Sequence, residues 1–333
     1  MFEVRLHKEV MDVSFSSRVK KELTSVLTNA RHCMIAEISA LVLMCAEITN
    51  KNDIFDIKFN TENPATARKY FTIIKKAFNM NVEVLAKDSK KFNKKRSYLL
   101  RIPDQKMSKK VLLATTILKN EEGKLRLKDY VDNTVIQSMC CKRAYLRGAF
   151  LAAGSVSDPQ KGYHLEFVCQ TNNNANHLKQ ILNGLDMEAK IVMRKNSYVV
   201  YLKEGTQIVD LLNVMGAHNA LMELENIRIV KEVRNNVNRI VNCETANLKK
   251  TVSAAVRQMQ DIDYIESTIG ISSLPENLED IARYRIDYPS ATLKELGELL
   301  SPPVGKSGVN HRLNKISKIA SEIRETRGGK DDD

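Results

Sequence analysis

The 333-residue chain contains no C-x-x-C pair, no H-x-x-x-H pair and no grouping of cysteine with histidine at zinc-finger spacing. Zinc-finger and helical metalloprotease signatures are therefore excluded, and neither a zinc site nor any other metal or cofactor is expected. Cys33, Cys45, Cys140, Cys141, Cys169 and Cys243 read instead as reduced core thiols, several of them within apolar runs. No stretch of about 18 apolar residues occurs, so no helix is expected to span a membrane. Met1–Val13 is too charged to hold the apolar core of a signal peptide, which places the chain in the cytoplasm. Acidic residues are in deficit: 40 Asp and Glu face 52 Lys and Arg, for a formal net charge of +12. That balance suits a polyanionic partner, although a soluble basic protein would show the same excess. What is present is globular in composition, 43% hydrophobic and 28% charged, with length enough for two or three domains.

The strongest internal signal is a repeat. Ala36–Glu47 (A-E-I-S-A-L-V-L-M-C-A-E) aligns with Ala144–Ser155 (A-Y-L-R-G-A-F-L-A-A-G-S) at an offset of 108 residues. Ala77–Val84 aligns with Gly184–Ile191 at an offset of 107. Each copy predicts an apolar helix (about 33–48 and 141–154) and then a β segment (Ile54–Phe59 and His164–Cys169). An amphipathic helix follows (Pro64–Phe78 and Asn174–Leu185). Next comes a strand pair, 81–86 with 97–102 and 188–194 with 197–203, and a last helix at 109–119 or 206–215. With a short strand before each β segment the order is αββαββα. Gly148, Ala149, Ala152, Ala153 and Gly154, with Ala40, Cys45 and Ala46 in the first copy, provide a smooth seam for helix-to-helix packing.

After Ala217 the pattern changes. Asn219–Glu232 predicts a helix, Asn235–Val241 follows, and Thr245–Met259 predicts another helix with Leu248, Val252, Ala255, Val256 and Met259 on one face. Between Arg228 and Arg257 there are seven basic residues against two acidic ones. Asn238, Arg239, Asn242 and Asn247 offer amides beside a guanidinium, a chemistry suited to phosphates, sugars and base edges. Asn242 or Thr245 as a helix N-cap is the structural alternative. Beyond the boundary at Gly270–Pro275, three helices are expected. Thr292 and Glu295 form a capping box, Ser301–Gly305 breaks the chain, and Ser307 caps a longer helix. A short helix, a tight turn and a helix carrying Lys306, Ser307, Asn310, His311, Arg312 and Lys315 describe a helix-turn-helix whose second helix would enter the major groove. A three-helix protein-binding module is the alternative. A further basic run, Lys87–Lys110, has ten basic against two acidic residues. There Lys90, Lys91, Lys94, Lys95 and Arg96 are candidate phosphate contacts on a hairpin loop.

Leu146–Gly154 (L-R-G-A-F-L-A-A-G) resembles the helix that names the LAGLIDADG homing endonucleases. That resemblance implies a metal-binding carboxylate just before the final glycine of each copy. Here those places hold Ala153 and Cys45, neither of which suits Mg²⁺. Glu47 is answered by Ser155 in the second copy, and Asp158 reads as a turn residue. No catalytic residue is therefore assigned, and a nuclease with a relocated site remains only a rival reading.

Four motifs together resemble the WhiA family of bacterial DNA-binding regulators: S-F-S-S-R-V-K-K-E-L (Ser14–Leu23), R-A-Y-L-R-G-A-F-L-A-A-G-S-V (Arg143–Val156), N-R-I-V-N-C-E-T-A-N (Asn238–Asn247) and L-K-E-L-G-E-L-L-S-P-P-V-G-K-S-G-V-N-H-R-L (Leu293–Leu313). The implied fold is α+β, with two pseudo-symmetric LAGLIDADG-like αββαββα repeats followed by an all-α helix-turn-helix domain. The expected spans are 14–130 and 131–222 for the repeats, 223–273 for a basic helical linker and 274–327 for the helix-turn-helix. The resemblance implies transcription regulation linked to cell division, and to sporulation in sporulating relatives. Double-stranded DNA is the expected partner, on the nucleoid, and other transcription regulators or RNA polymerase are candidate protein partners. The chain is expected to be a monomer. A nucleoid-associated or RNA-binding protein without promoter control is the alternative. Met1–Val10 precedes the start expected from the resemblance, and Asp331–Asp333 is expected to be disordered.

Overall fold

A computed structural model of the chain describes residues 13–88 and 96–328. The Met1–Val10 and Asp331–Asp333 expectations lie outside the described residues. The chain divides into two compact units, residues 1–231 and 232–333.

In the first unit, α1 (Phe15–Ser25) starts where the Ser14 side chain accepts from the Ser17 backbone N–H, and it buries Phe15, Val19 and Leu23 at helical spacing. The first repeat then runs α2 (Arg31–Cys45), β1 (Ala46–Lys51), β2 (Ile54–Thr61), α3 (Pro64–Phe78), β3 (Glu83–Asp88), β4 (Arg96–Ile102) and α4 (Gln105–Ala114). A hairpin, β5 (Leu118–Glu121) with β6 (Lys124–Leu127), leads out of it. The second repeat runs α5 (Met139–Ala153), β7 (Gly154–Val156), β8 (Leu165–Cys169), α6 (Asn172–Asn183), β9 (Lys190–Arg194), β10 (Ser197–Leu202) and α7 (Gly205–Met215). The short strand needed before each β segment is there, and both copies are αββαββα. Their antiparallel sheets share one order, β1-β2-β4-β3 and β7-β8-β10-β9. Phe55, Ile57 and Phe59 alternate inward on β2, as Leu165, Phe167 and Cys169 do on β8.

Two boundaries differ from expectation. The first apolar helix stops at Cys45, because Ala46–Ile48 pairs with β2 from Ala46↔Phe59 onward. The last helix of the first copy covers Gln105–Ala114, and Leu118–Lys119 belongs to β5. Asp104 fixes that earlier start by accepting from the Lys106 and Met107 backbone N–H groups. Helix α1 and the β5–β6 hairpin have no counterpart among the predicted elements.

Helices α2 and α5 are buried along most of their length and pack against each other. Their closest approach needs Gly148: a Cβ there would sit 2.5 Å from the Glu37 carbonyl oxygen. Ala40, the residue equivalent to Gly148 in the first copy, faces it. Beside this crossing lies a buried charge cluster. Glu37 Oε1 is 2.6 Å from Lys69 Nζ, and Glu37 Oε2 accepts from Arg147 Nε at 3.3 Å. Lys69 also donates to the Leu23 carbonyl, and Arg147 to that of Met215. The cluster thereby ties both repeats and α1 into one core.

Helix α8 (His218–Thr268) is 51 residues long, roughly 75 Å at ~1.5 Å per residue. Its N-terminal turn is capped by Glu22 of α1, whose carboxylate accepts from the backbone N–H groups of Asn219 and Ala220. The expected break after Glu232 and restart near Thr245 do not occur. Asn235, Asn236, Asn238 and Asn242 each weaken a helix, but neither glycine nor proline lies between Ala217 and Gly270 to stop one. Asn242 and Thr245 are therefore mid-helix and cap nothing, and the segment from 223 onward is helix through Thr268.

In the second unit Ile262 and Ile265 of α8 enter a core with α9 (Glu276–Asp287), α10 (Leu293–Leu299) and α11 (Lys306–Gly328). Leu278, Ile281, Leu296, Val309, Leu313 and Ile316 fill it. The capping box is formed: Glu295 N–H donates to Thr292 Oγ1, and Thr292 N–H to Glu295 Oε2 at 2.7 Å. Ser307 is not the cap of the last helix. The helix begins one residue earlier, with the Val309 N–H donating to the Gly305 carbonyl. Among the described residues no helix is long and apolar enough to cross a membrane.

Candidate nucleic-acid interface

The turn between α10 and α11 is held by backbone contact. Val304 N–H donates to the Gly297 carbonyl at 2.9 Å, and a Cβ on Gly297 would meet the Val304 oxygen at 2.0 Å. Only glycine permits that approach. On the other side, buried Arg285 donates to the carbonyls of Pro289 and Ala291, fixing the α9–α10 turn. Burial lowers the pKa of that guanidinium; Nη1 makes both backbone bonds, and the buried Nε makes none. The apolar side of α11 (Val309, Leu313, Ile316, Ala320) is thereby locked inward, which leaves its other side to solvent.

Lys306, Ser307, Asn310, His311 and Lys315 are all exposed on that side. Arg312 is set apart from them: it is half-buried, and its Nη1 donates to the Asn277 carbonyl of α9 at 3.4 Å. Lys306 and Asn310 also border an open cleft of about 520 Å³ shared with Lys250, Thr251, Thr292 and Lys294. Two segments far apart in sequence thus present cations and amides to one recess.

The unbroken α8 gives the amide-rich run a single direction. At roughly 100° per residue, Asn235, Asn238, Arg239, Asn242, Lys249, Lys250 and Arg257 fall within about 60° of one line. Asn247 does not; it points well away, with its amide near Cys243 Sγ. Every residue from Glu232 to Lys250 is exposed. The opposite side carries Val233, Val237, Ile240, Val241 and Leu248, also exposed. The apolar face expected on 245–259 therefore exists, but Leu248, Val252 and Val256 are at the surface. Lys90, Lys91, Lys94 and Lys95 lie outside the described residues. Arg96 is exposed at the start of β4, in register with Asp88.

The C-terminal ends of α2 and α5, where the LAGLIDADG resemblance implies carboxylates, hold Cys45 and Ala153. Burial pushes the Cys45 thiol up to about 12, against the opposing influence of Lys20 nearby. Lys20, on α1, has its own pKa lowered by burial, with Cys45 acting the other way. Its ammonium stands over the Phe150 ring and borders a recess with Asn60, Glu62, Asn63 and Ala152. The two helix ends themselves thus supply a thiol and a methyl group, with a cation beside them, and no pair of carboxylates. The sequence reading did not single out Lys20, since its only signal there was membership of the S-S-R-V-K-K run.

The expectation of no Cys/His cluster is corrected at the other end of these helices. His32 Nδ1 and the Sγ atoms of Cys33, Cys140 and Cys141 all lie within 4.8 Å of one another. A search for C-x-x-C spacing could not find them, because each helix contributes two adjacent residues. The repeat offset of 108 contained the signal: it maps His32–Cys33 onto Cys140–Cys141. Cys140 and Cys243 are exposed, so these two are not core thiols.

Three family models match the chain: the WhiA N-terminal LAGLIDADG-like domain over residues 31–118, the WhiA LAGLIDADG-like domain over 142–234 and the WhiA C-terminal HTH domain over 237–320. The chain is 50% identical over 315 residues to a protein of Alkaliphilus oremlandii named Probable cell division protein WhiA, an alignment covering 94% of this chain and 98% of that one. A Clostridium perfringens protein of the same name is 49% identical over 312 residues, covering 94% and 99%. Among solved structures, full-length WhiA from Thermatoga maritima superposes with a TM-score of 0.57 at 23% identity, covering 93% of this chain and 99% of that one.

Proposed function

The chain belongs to the WhiA family, and from that premise we propose that it is a DNA-binding regulator of transcription linked to cell division. In this reading α10 and α11 form the reader, with the exposed side of α11 entering the major groove. Asn310 and His311 would meet base edges, and Lys306 and Lys315 the phosphates. The basic, amide-bearing side of α8 from Asn235 to Arg257 spans roughly 33 Å at ~1.5 Å per residue, long enough to follow a phosphate backbone. The repeat domain serves as a scaffold that no longer cuts, since Lys20, Cys45 and Ala153 offer Mg²⁺ no carboxylate. Lys90, Lys91, Lys94, Lys95 and Arg96 are retained as candidate phosphate contacts.

The observation that carries this reading is the shared recess, where Lys306 and Asn310 of the helix-turn-helix stand beside Lys250 of α8. It is tested by selecting a DNA site with the full-length chain and titrating the Lys306→Ala/Asn310→Ala variant against that site and a scrambled one. Loss of preference for the selected site is expected. Unchanged preference would remove the helix-turn-helix as reader. Genome-wide occupancy without a shared sequence would favour the nucleoid-associated alternative. Incubation with plasmid and Mg²⁺ should leave the DNA intact, and metal-dependent nicking would overturn the scaffold role.

A further inference from the structure

We infer that the paired N-terminal ends of α2 and α5 form a mononuclear Zn²⁺ site, with His32, Cys33, Cys140 and Cys141 as a closed set of four ligands. This inference does not rest on the DNA-binding reading.

The first argument is geometric. His32 Nδ1 lies 3.1 Å from Cys141 Sγ and 3.4 Å from Cys33 Sγ, and no pair in the set exceeds 4.8 Å. A tetrahedral zinc with Zn–S near 2.3 Å and Zn–N near 2.0 Å places its ligand atoms about 3.5–3.8 Å apart. One ion fits that spacing, whereas an iron–sulfur cluster needs its thiolates spread further. A purely structural packing of thiols would not be expected to gather an imidazole and three sulfurs from two helices around one point.

The second argument is symmetry. His32 and Cys140 are each the second residue of their helix, and Cys33 and Cys141 each the third. The four ligands are therefore two copies of one dipeptide position brought together by the pairing of α2 with α5. The N-terminal turns of both helices also favour anionic sulfur.

The third argument is electrostatic. Crowded thiols resist ionising together, and a divalent cation at their centre reverses that resistance. Binding would release the thiol protons to solvent, leaving three thiolates and a neutral imidazole on the metal. Ser138 Oγ, 3.1 Å from Cys141 Sγ and 3.3 Å from Cys140 Sγ, is placed to donate to a ligating sulfur.

The chemistry of the set decides the role. Three sulfurs and a nitrogen select zinc over Mg²⁺ or Mn²⁺, so this is not a nuclease centre moved along the helices. Four protein ligands leave no open coordination position, the arrangement of a structural site. Cys33 and Cys141 are buried while His32 and Cys140 are exposed, which gives the ion an entry path. Zinc here would clamp one repeat to the other at the end of the helix pair remote from Cys45 and Ala153.

The test uses the full-length chain purified without chelator. Elemental analysis should find one zinc per chain. Replacement by Co²⁺ should give the visible absorption of tetrahedral cobalt with its thiolate charge-transfer bands. Exposed Cys140→Ser and His32→Ala can be made without opening the core, and each should weaken zinc retention against a chromophoric chelator and alter the cobalt spectrum. Circular dichroism would verify that both variants are folded. A native chain that carries no zinc and gives no thiolate–cobalt band would overturn the proposal. So would folded variants with the wild-type spectrum and stoichiometry, or a metal-free chain in which these cysteines form disulfides.

Discussion

The repeat domain and the helix-turn-helix unit treat charge in opposite ways. The first draws Glu37, Lys69 and Arg147 into its centre, with the Glu37 and Lys69 side chains only 1% exposed. Among the described residues the second buries one guanidinium, that of Arg285, half-buries that of Arg312, and leaves the α8 cations from Arg234 to Arg257 and Lys306 and Lys315 of α11 at the surface. A buried charge is committed to its neighbours, because leaving it unpaired is costly. An exposed cation on a helix face is available to a partner, and its contribution is then screened by salt. The difference separates residues that hold this molecule together from those proposed to meet DNA. Substitutions should divide along the same line.

The sharpest division is expected at Glu37. Glu37→Ala leaves Lys69 and Arg147 as uncompensated cations in the core, a loss of about 3–5 kcal/mol. Urea unfolding should register that loss in the transition of the repeat domain, while DNA preference of the folded protein stays unchanged. A loss under about 1 kcal/mol would mean that the site hydrates freely, and the contrast between the two units would fail. Asn310→Ala should behave in the converse manner. No fall in unfolding free energy is expected there, but affinity for the selected DNA site should drop by about 1–3 kcal/mol if the amide meets a base. Arg312→Ala sharpens the point, since its guanidinium is turned to the Asn277 carbonyl. Its effect should appear in stability more than in sequence preference.

A smaller effect distinguishes phosphate contacts from base contacts within the same unit. Lys249→Ala should weaken binding to all sequences alike and reduce the slope of log affinity against log salt by about 1. Asn247→Ala, off the basic side of α8, should change neither slope nor preference. Equal effects from the two would show that the helix approaches DNA along another face.

How far these divisions could be read in the sequence depends on the separation of the residues involved. The repeat was legible because the apolar pattern of Ala36–Glu47 recurs in Ala144–Ser155, and the two sheets then follow with the same order. The capping box was legible because Thr292 and Glu295 are three residues apart. The continuity of α8 was not, since the asparagines near 235–242 signal a break locally and only the absence of glycine and proline over the whole span opposes it. The Glu37–Lys69–Arg147 cluster and the four zinc-type ligands were not legible either. Each arises from the packing of separate helices, and neither has a local spacing of its own. Arg312 stood with the exposed residues of α11 on helical period alone, whereas its reach back to α9 depends on tertiary packing.

The smallest expected effect concerns pH and the entry to α10. Glu295 has its pKa lowered by its hydrogen bonds to Thr292, the backbone bond foremost. A carboxyl held below its unfolded value stabilises the fold fully above that unfolded value, near 4.3, and the stabilisation is lost as pH falls through the folded value. Thr292→Ala removes the reciprocal bond to the Glu295 N–H and should cost about 1 kcal/mol, most of which persists at acid pH because only the hydroxyl's lesser bond to the Glu295 carboxylate follows its ionisation. Glu295→Ala should instead differ from the parent most at neutral pH. Its deficit should close as pH falls below the unfolded value and through the lower folded one, where protonation has already weakened the parent's cap. Thermal unfolding of both variants between neutral and acid pH separates the two halves of the box. A Glu295→Ala deficit that stayed constant across that range would mean that this exposed side chain acts through contacts that do not depend on its charge. The rule drawn from the two units, that exposed charge in the second unit is free for a partner, would then extend to Glu295 as well.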